Sequence, residues 1–130
     1  MTEHVYWRPE LECMGRPALE QHQLAKLRQQ LAYVSERSPL YRRKFAAAGI
    51  KPDDIRTLAD LRNIPFTEKQ ELKDSQSVAP PWGDFSCIAP DEAVRVFQTS
   101  GTTGTPVRIM YNRQDWFETF YEQFQHYRCG

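Results

Sequence analysis

The sequence predicts an α+β fold: a helical first half, a strand–Gly/Thr loop–strand unit, and a C-terminal aromatic helix. Three observations carry this. Leu24, Leu27, Leu31 and Val34 fall at i, i+3, i+7 and i+10, a single helical stripe. Two runs rich in β-branched and aromatic residues, 93–97 and 107–111, flank a segment of glycines and hydroxyls. Finally, Trp116, Phe120, Phe124 and Tyr127 share one stripe of a helix, widened by Phe117 and Tyr121. Residues 1–130 are read as one domain, with a helical subregion at 17–74 and a strand–loop–strand–helix subregion at 93–130.

Taken in order, residues 1–16 show no periodicity. Pro17 suits the first turn of a helix running from Ala18 to Arg37. His22, with no ligating partner at metal spacing, reads as a surface residue. Ser38 then caps a second helix with Pro39 in its first turn. Tyr41 and Phe45, four residues apart, share its buried face, and Gly49 sits just past its end. Arg42-Arg43-Lys44 reads as a solvated helix face. Asp53 and Asp54 lie in a turn, where aspartate bonds the local backbone, so the pair is structural rather than catalytic.

Thr57-Leu58-Ala59-Asp60 and Thr67-Glu68-Lys69-Gln70 each look like a helix start. In the second, Thr67 caps and Gln70 reaches back. Pro80-Pro81, Gly83 and Pro90 make 75–92 mostly loop, with Trp82 and Phe85 anchoring it on a core. Asn112 or Asp115 caps the last helix, which runs to about Arg128. Its aromatic stripe reads as a core face.

Composition excludes several classes. Lys+Arg and Asp+Glu both total 17, so net charge gives no argument for nucleic acid or an anionic membrane as partner. No apolar run is long enough to span a bilayer, and the first residues lack the regions of a signal peptide. Cys13, Cys87 and Cys129 are odd in number and widely spaced, which fits neither a disulfide framework nor a zinc pattern. A reducing cytoplasm fits best.

The chemistry concentrates in the loop. Thr99, Ser100, Thr102, Thr103 and Thr105 surround Gly101 and Gly104. Glycine lets backbone N–H groups approach a ligand closely, and successive N–H groups make an anion-binding hollow. Hydroxyls add donors that rotate to meet phosphate oxygens. The plainer alternative is a hairpin turn rich in serine and threonine. The loop is not a Walker A, because no Gly-Lys-Ser/Thr precedes a helix.

The run Thr99-Ser100-Gly101-Thr102-Thr103-Gly104-x-Pro106 resembles the phosphate-binding signature of the adenylate-forming superfamily. Further segments are similar to the amino-terminal region of phenylacetate–CoA ligases. They are Pro39 to Phe45, Asp53-Asp54-Ile55, Leu58-x-Asp60-Leu61, Ile64-Pro65-Phe66-Thr67-x-Lys69-x-x-Leu72 and Tyr111-Asn112-Arg113-x-Asp115. The resemblance runs from about Leu24 to the end. It implies a phosphate-binding set of Thr99, Ser100, Gly101, Thr102, Thr103 and Gly104 in an incomplete piece of a larger adenylation domain.

The resemblance also implies an AMP-forming acid–CoA ligase acting on an aryl acid such as phenylacetate, with ATP, Mg²⁺ and coenzyme A. The expected adenine, metal and ribose contacts and the catalytic lysine lie beyond this stretch, so no catalytic residue and no metal site is expected within it. The chain alone is expected to be inactive. One departure stands out: Thr105 and Val107 occupy places where many superfamily members carry lysine. The alternative function is a non-enzymatic interaction module, docking through the aromatic helix 115–128 on a partner or as a homo-oligomer.

Overall fold

The structure, a computed structural model, describes residues 6–100 and 104–129. A short helix, α1 (Pro9–Glu12), precedes the long α2 (Arg16–Arg37). A single residue, Ser38, separates α2 from α3 (Pro39–Ala48). Its N–H donates to the Val34 carbonyl at 2.9 Å, ending α2. Its Oγ accepts the Tyr41 N–H at 3.3 Å, starting α3. One serine thus serves both helix ends. As predicted, Gly49 terminates α3 in the left-handed region at φ 66°, where glycine bears no Cβ penalty.

The core lies between α2, α3 and the segment after them. Leu31, Val34, Phe45 and Ile55 are buried, with Leu24, Leu27, Tyr41 and Ile64 packed against them. The predicted stripe of α2 is therefore the core face, and Tyr41 and Phe45 sit together at 5.9 Å between ring centroids.

Two 3₁₀ turns follow, Pro52–Asp54 and Leu58–Asn63. Asp60 starts the second. Its Oδ2 accepts the Thr57 N–H at 2.8 Å, the Thr57 hydroxyl at 2.9 Å and the Arg56 N–H at 3.0 Å. Those bonds, the Thr57 N–H first, hold the Asp60 carboxyl below the usual range.

Helix α4 (Lys69–Val78) departs from expectation at both ends. Glu71 rather than Gln70 reaches back, accepting the Glu68 N–H at 2.7 Å, while Gln70 bonds Asp74. The cap thus sits one residue later than the Thr67–Gln70 reading, with a carboxylate as the stronger acceptor. The helix also continues through 75–78, a stretch expected to be loop. Ser75 and Gln76 are buried there, so tertiary contact holds the last turn in place.

The basic run Arg42–Lys44 is exposed at Arg42 and Arg43, as expected, while Lys44 is drawn inward. Lys44 Nζ lies 2.5 and 2.6 Å from the Glu71 carboxylate oxygens, and its side chain is only 12% exposed. Arg43 pairs with Asp84 at 2.7 Å. Arg42 donates to the carbonyls of Ser35 and Glu36. The three cations tie α3 to three different segments.

Asp84 is the junction of the loop after α4. Its carbonyl accepts the Leu40 N–H and the Ser38 hydroxyl, each at 3.2 Å. Its carboxylate takes the Ser75 hydroxyl at 2.5 Å as well as Arg43. Partial burial pushes this carboxyl up, but the bonds from Arg43 and Ser75 outweigh it and the group sits below its usual value. Gly83 is buried at φ 78°, and a Cβ there would meet the Phe85 ring at 2.6 Å. Phe85 is half-buried and lies beside Gly83 within its own loop.

After a 3₁₀ turn at Pro90–Glu92, β1 (Arg95–Gln98) and β2 (Arg108–Tyr111) form an antiparallel hairpin. Arg95 faces Tyr111, and Gln98 faces Arg108. Helical backbone then resumes as α5 (Arg113–Trp116) and α6 (Glu122–Cys129), joined by a π-helical turn at Phe117–Tyr121. Of the two candidate caps, Asn112 serves. It accepts the Asp115 N–H at 2.8 Å, and Asp115 accepts the Asn112 N–H at 3.2 Å.

The aromatic stripe is only partly a core face. Phe97 stacks on Trp116 and Phe120, at 5.9 and 5.1 Å, and meets Tyr111 edge-on at 5.3 Å. Phe117, Tyr121 and Phe124 remain 44–66% exposed. The Tyr127 side chain lies outside the described part. Cys13 and Cys87 are free thiols. His22 is half-buried on α2 rather than fully at the surface. Among the described residues no helix is long and apolar enough to cross a membrane.

Candidate functional site

Strand pairing brings the two ends of the glycine-rich loop together. Beyond the Gln98–Arg108 pair, the Thr99 N–H donates to the Val107 carbonyl at 3.0 Å. The Thr99 Oγ1 accepts the Val107 N–H at 3.1 Å. Thr99, expected as a phosphate donor, therefore closes the neck of the loop. Its hydroxyl proton remains for a second partner, since a hydroxyl both accepts and donates.

Ser100 and Gly104 are exposed on the two sides of the neck. Gly104 adopts φ 117°, and a Cβ there would find nothing within 4 Å. Glycine is required at that position by backbone conformation and not by crowding. Gly101, Thr102 and Thr103 lie outside the described residues. Of the six predicted phosphate-binding residues, Thr99, Ser100 and Gly104 are placed, all at the mouth of the hairpin.

The side of the loop away from β1 rests on α4. Gln76 is buried, 6% exposed. Its Oε1 accepts the Arg108 N–H at 2.7 Å, and its Nε2 donates to the Pro106 carbonyl at 3.4 Å. Between these lies Val107, 1% exposed. Sequence reasoning missed Gln76, because its partners are 30 and 32 residues away. The buried setting of Val107 also bears on the departure noted above. A lysine there would carry its ammonium into the protein, which is costly without a partner. Thr105 is exposed.

The described residues contain no group of three or more His, Cys, Asp or Glu arranged to hold a metal ion. Cys87 does not suit a nucleophile, since burial pushes its thiol above the usual value. Among the described residues, the mouth presents exposed Ser100 and Thr105 and an open Gly104, held by the Thr99–Val107 neck.

No family model matches the chain. The phenylacetate–coenzyme A ligase of Pseudomonas putida is 41% identical over 105 residues, 81% of this chain and 23% of that protein. The enzyme of the same name from Thermus thermophilus is 41% identical over 111 residues, 85% of this chain and 24% of that protein. The chain thus spans about a quarter of the length of the curated relatives it matches. Among solved structures, 2-hydroxyisobutyryl-CoA ligase in complex with 2-HIB-AMP and CoA superposes with a TM-score of 0.79. It is 38% identical, and the match covers 85% of this chain and 24% of that one. A postadenylation form of that ligase gives a TM-score of 0.78 at 34% identity. The resemblance read from the sequence is borne out, and the chain matches a larger CoA ligase fold as a partial piece.

Proposed function

We propose that this chain, which resembles phenylacetate–CoA ligases of the adenylate-forming superfamily, is the amino-terminal part of an AMP-forming acid–CoA ligase. It supplies the loop that holds the ATP phosphates. The observation that carries this reading is the 41% identity to phenylacetate–coenzyme A ligases across four-fifths of the chain. The hairpin neck that presents Ser100 and Gly104 at an open mouth supports it.

In the whole enzyme, a carboxylate attacks the α-phosphate of ATP, giving an acyl-adenylate and pyrophosphate. The CoA thiol then displaces AMP. Negative charge grows on the β- and γ-phosphates as pyrophosphate leaves. Preorganised N–H and hydroxyl donors stabilise such charge. Thr99, Ser100, Thr102 and Thr103 supply hydroxyls to it, and Gly101 and Gly104 allow close backbone approach. Mg²⁺ accompanies the nucleotide. Phenylacetate is the first acid to test, although the structural neighbours are named for a branched hydroxy acid. Likeness to ligases in sequence and backbone weighs against a stand-alone interaction module.

The decisive experiment uses the full-length ligase carrying this segment, assayed for ATP-dependent CoA thioester formation. Gly101→Ala with Gly104→Ala lowers turnover about a hundredfold, the scale of losing one transition-state donor. Unchanged turnover would refute the loop's role. Residues 1–130 alone form no acyl-CoA, and measurable product from them would overturn the division of labour proposed here.

A further inference from the structure

We propose that Gln76 is the positioning residue of this loop, its carboxamide standing where a third strand would pair with β2. The inference rests on the phosphate-loop reading for its functional meaning, but its geometry is independent of it. Polar backbone groups alternate sides along a strand. At the loop exit, the Val107 N–H and carbonyl point to Thr99. The Pro106 carbonyl and the Arg108 N–H point the opposite way, toward α4. An edge in that direction leaves donors and acceptors unpaired, and Gln76 meets one of each.

A carboxamide suits this place because it carries an acceptor and donors on one planar group. Glutamate would keep the bond to Arg108 and lose the one to Pro106. Leucine would lose both and leave two half-buried backbone groups without this partner. Gln76 is itself fixed, in the last turn of α4. One residue earlier, the Ser75 hydroxyl is bonded to Asp84. The neck is therefore held from one side by Thr99 and from the other by a helix tied to Asp84 through Ser75 and to Lys44 of α3 through Glu71.

The test is amide hydrogen exchange by NMR on the whole chain, with sodium pyrophosphate as the anion probe. Gln76→Leu speeds exchange at Arg108 about three- to tenfold, the scale of one net hydrogen bond, while the amides of Leu31 and Phe45 keep their rates. Gln76→Glu retains the Arg108 protection, and it keeps the proposal testable if the leucine variant fails to fold. Pyrophosphate binding by Gln76→Leu weakens at least about threefold, in step with the exchange. Unchanged exchange at Arg108, or equal acceleration in the core, would overturn the positioning role. If neither the unaltered chain nor the full-length ligase carrying it binds pyrophosphate while Arg108 still responds, the positioning role stands and the phosphate reading fails.

Discussion

Phe45 and Phe97 are the same side chain in two settings. Phe45 is 5% exposed and packed among Leu31, Val34 and Ile55. Phe97 touches three other rings yet remains 40% exposed. Around Phe45, two helices and the segment carrying Ile55 close over one volume. Around Phe97, a two-stranded hairpin and one helix meet along a single face. Ring contacts can fasten a hairpin to a helix, but two layers so narrow cannot also cover it. The helical region is stabilised by burial, the hairpin region by contact.

The largest expected effect tests this contrast directly. Phe45→Ala costs about 3–5 kcal/mol, as for other buried aromatic truncations, measured by urea unfolding. Phe97→Ala costs less, about 1–2 kcal/mol, since its three ring pairs, each worth about 0.5–1.5 kcal/mol, share neighbours and do not add, and little area is sealed. Equal losses would mean that the aromatic face is as covered in solution as the helical core.

Ser38→Ala sharpens the helical side of the comparison. Ser38 is fully buried, caps α3 and donates to the Asp84 carbonyl. Its loss costs about 1–2 kcal/mol, the upper range for a serine cap. The hairpin's own amides should be less affected than those of α3. Uniform loosening would show that the two regions behave as one unit.

The smallest effect is with pH. The Lys44 bond, with the Glu68 N–H, lowers the Glu71 carboxyl. Asp60 and Asp84 are lowered as well. A depressed carboxyl contributes stability above its unfolded value, and loses it as pH falls through the folded one. Stability of the helical region therefore falls below about pH 4. The amide signals of Phe45 should shift there before those of Ile109. The reverse order would contradict the placement of these carboxylates.

How far the sequence revealed this arrangement follows from the reach of each interaction. The α2 stripe shows in its own periodicity, the Ser38 and Asn112 caps and Gly49 rest on partners within a few residues, and all are legible. So is the hairpin, whose strand runs flank the loop directly. The Thr67–Gln70 cap misses by one residue because Glu71 also answers Lys44, which lies 27 residues away. Gln76 and Asp84 escape for the same reason, since no local pattern marks a buried polar side chain with distant partners. In the loop, residue types pointed to anion chemistry. That Thr99 serves the neck follows only from strand register.

The π-helical turn at Phe117–Tyr121 has one further consequence. Each residue advances an α-helix by about 100°, and a π turn holds one residue more than an α turn. It therefore works as a phase shifter within a continuous helix. Winding the same five residues as α, with none removed, would leave Trp116 on Phe97 and swing everything from Glu122 onward by about 100°. The Arg8–Glu122 ion pair at 3.0 Å would be lost, and Phe124 would face a different direction. The aim of the final helix is thus written in the length of one turn, independently of which side chains it carries.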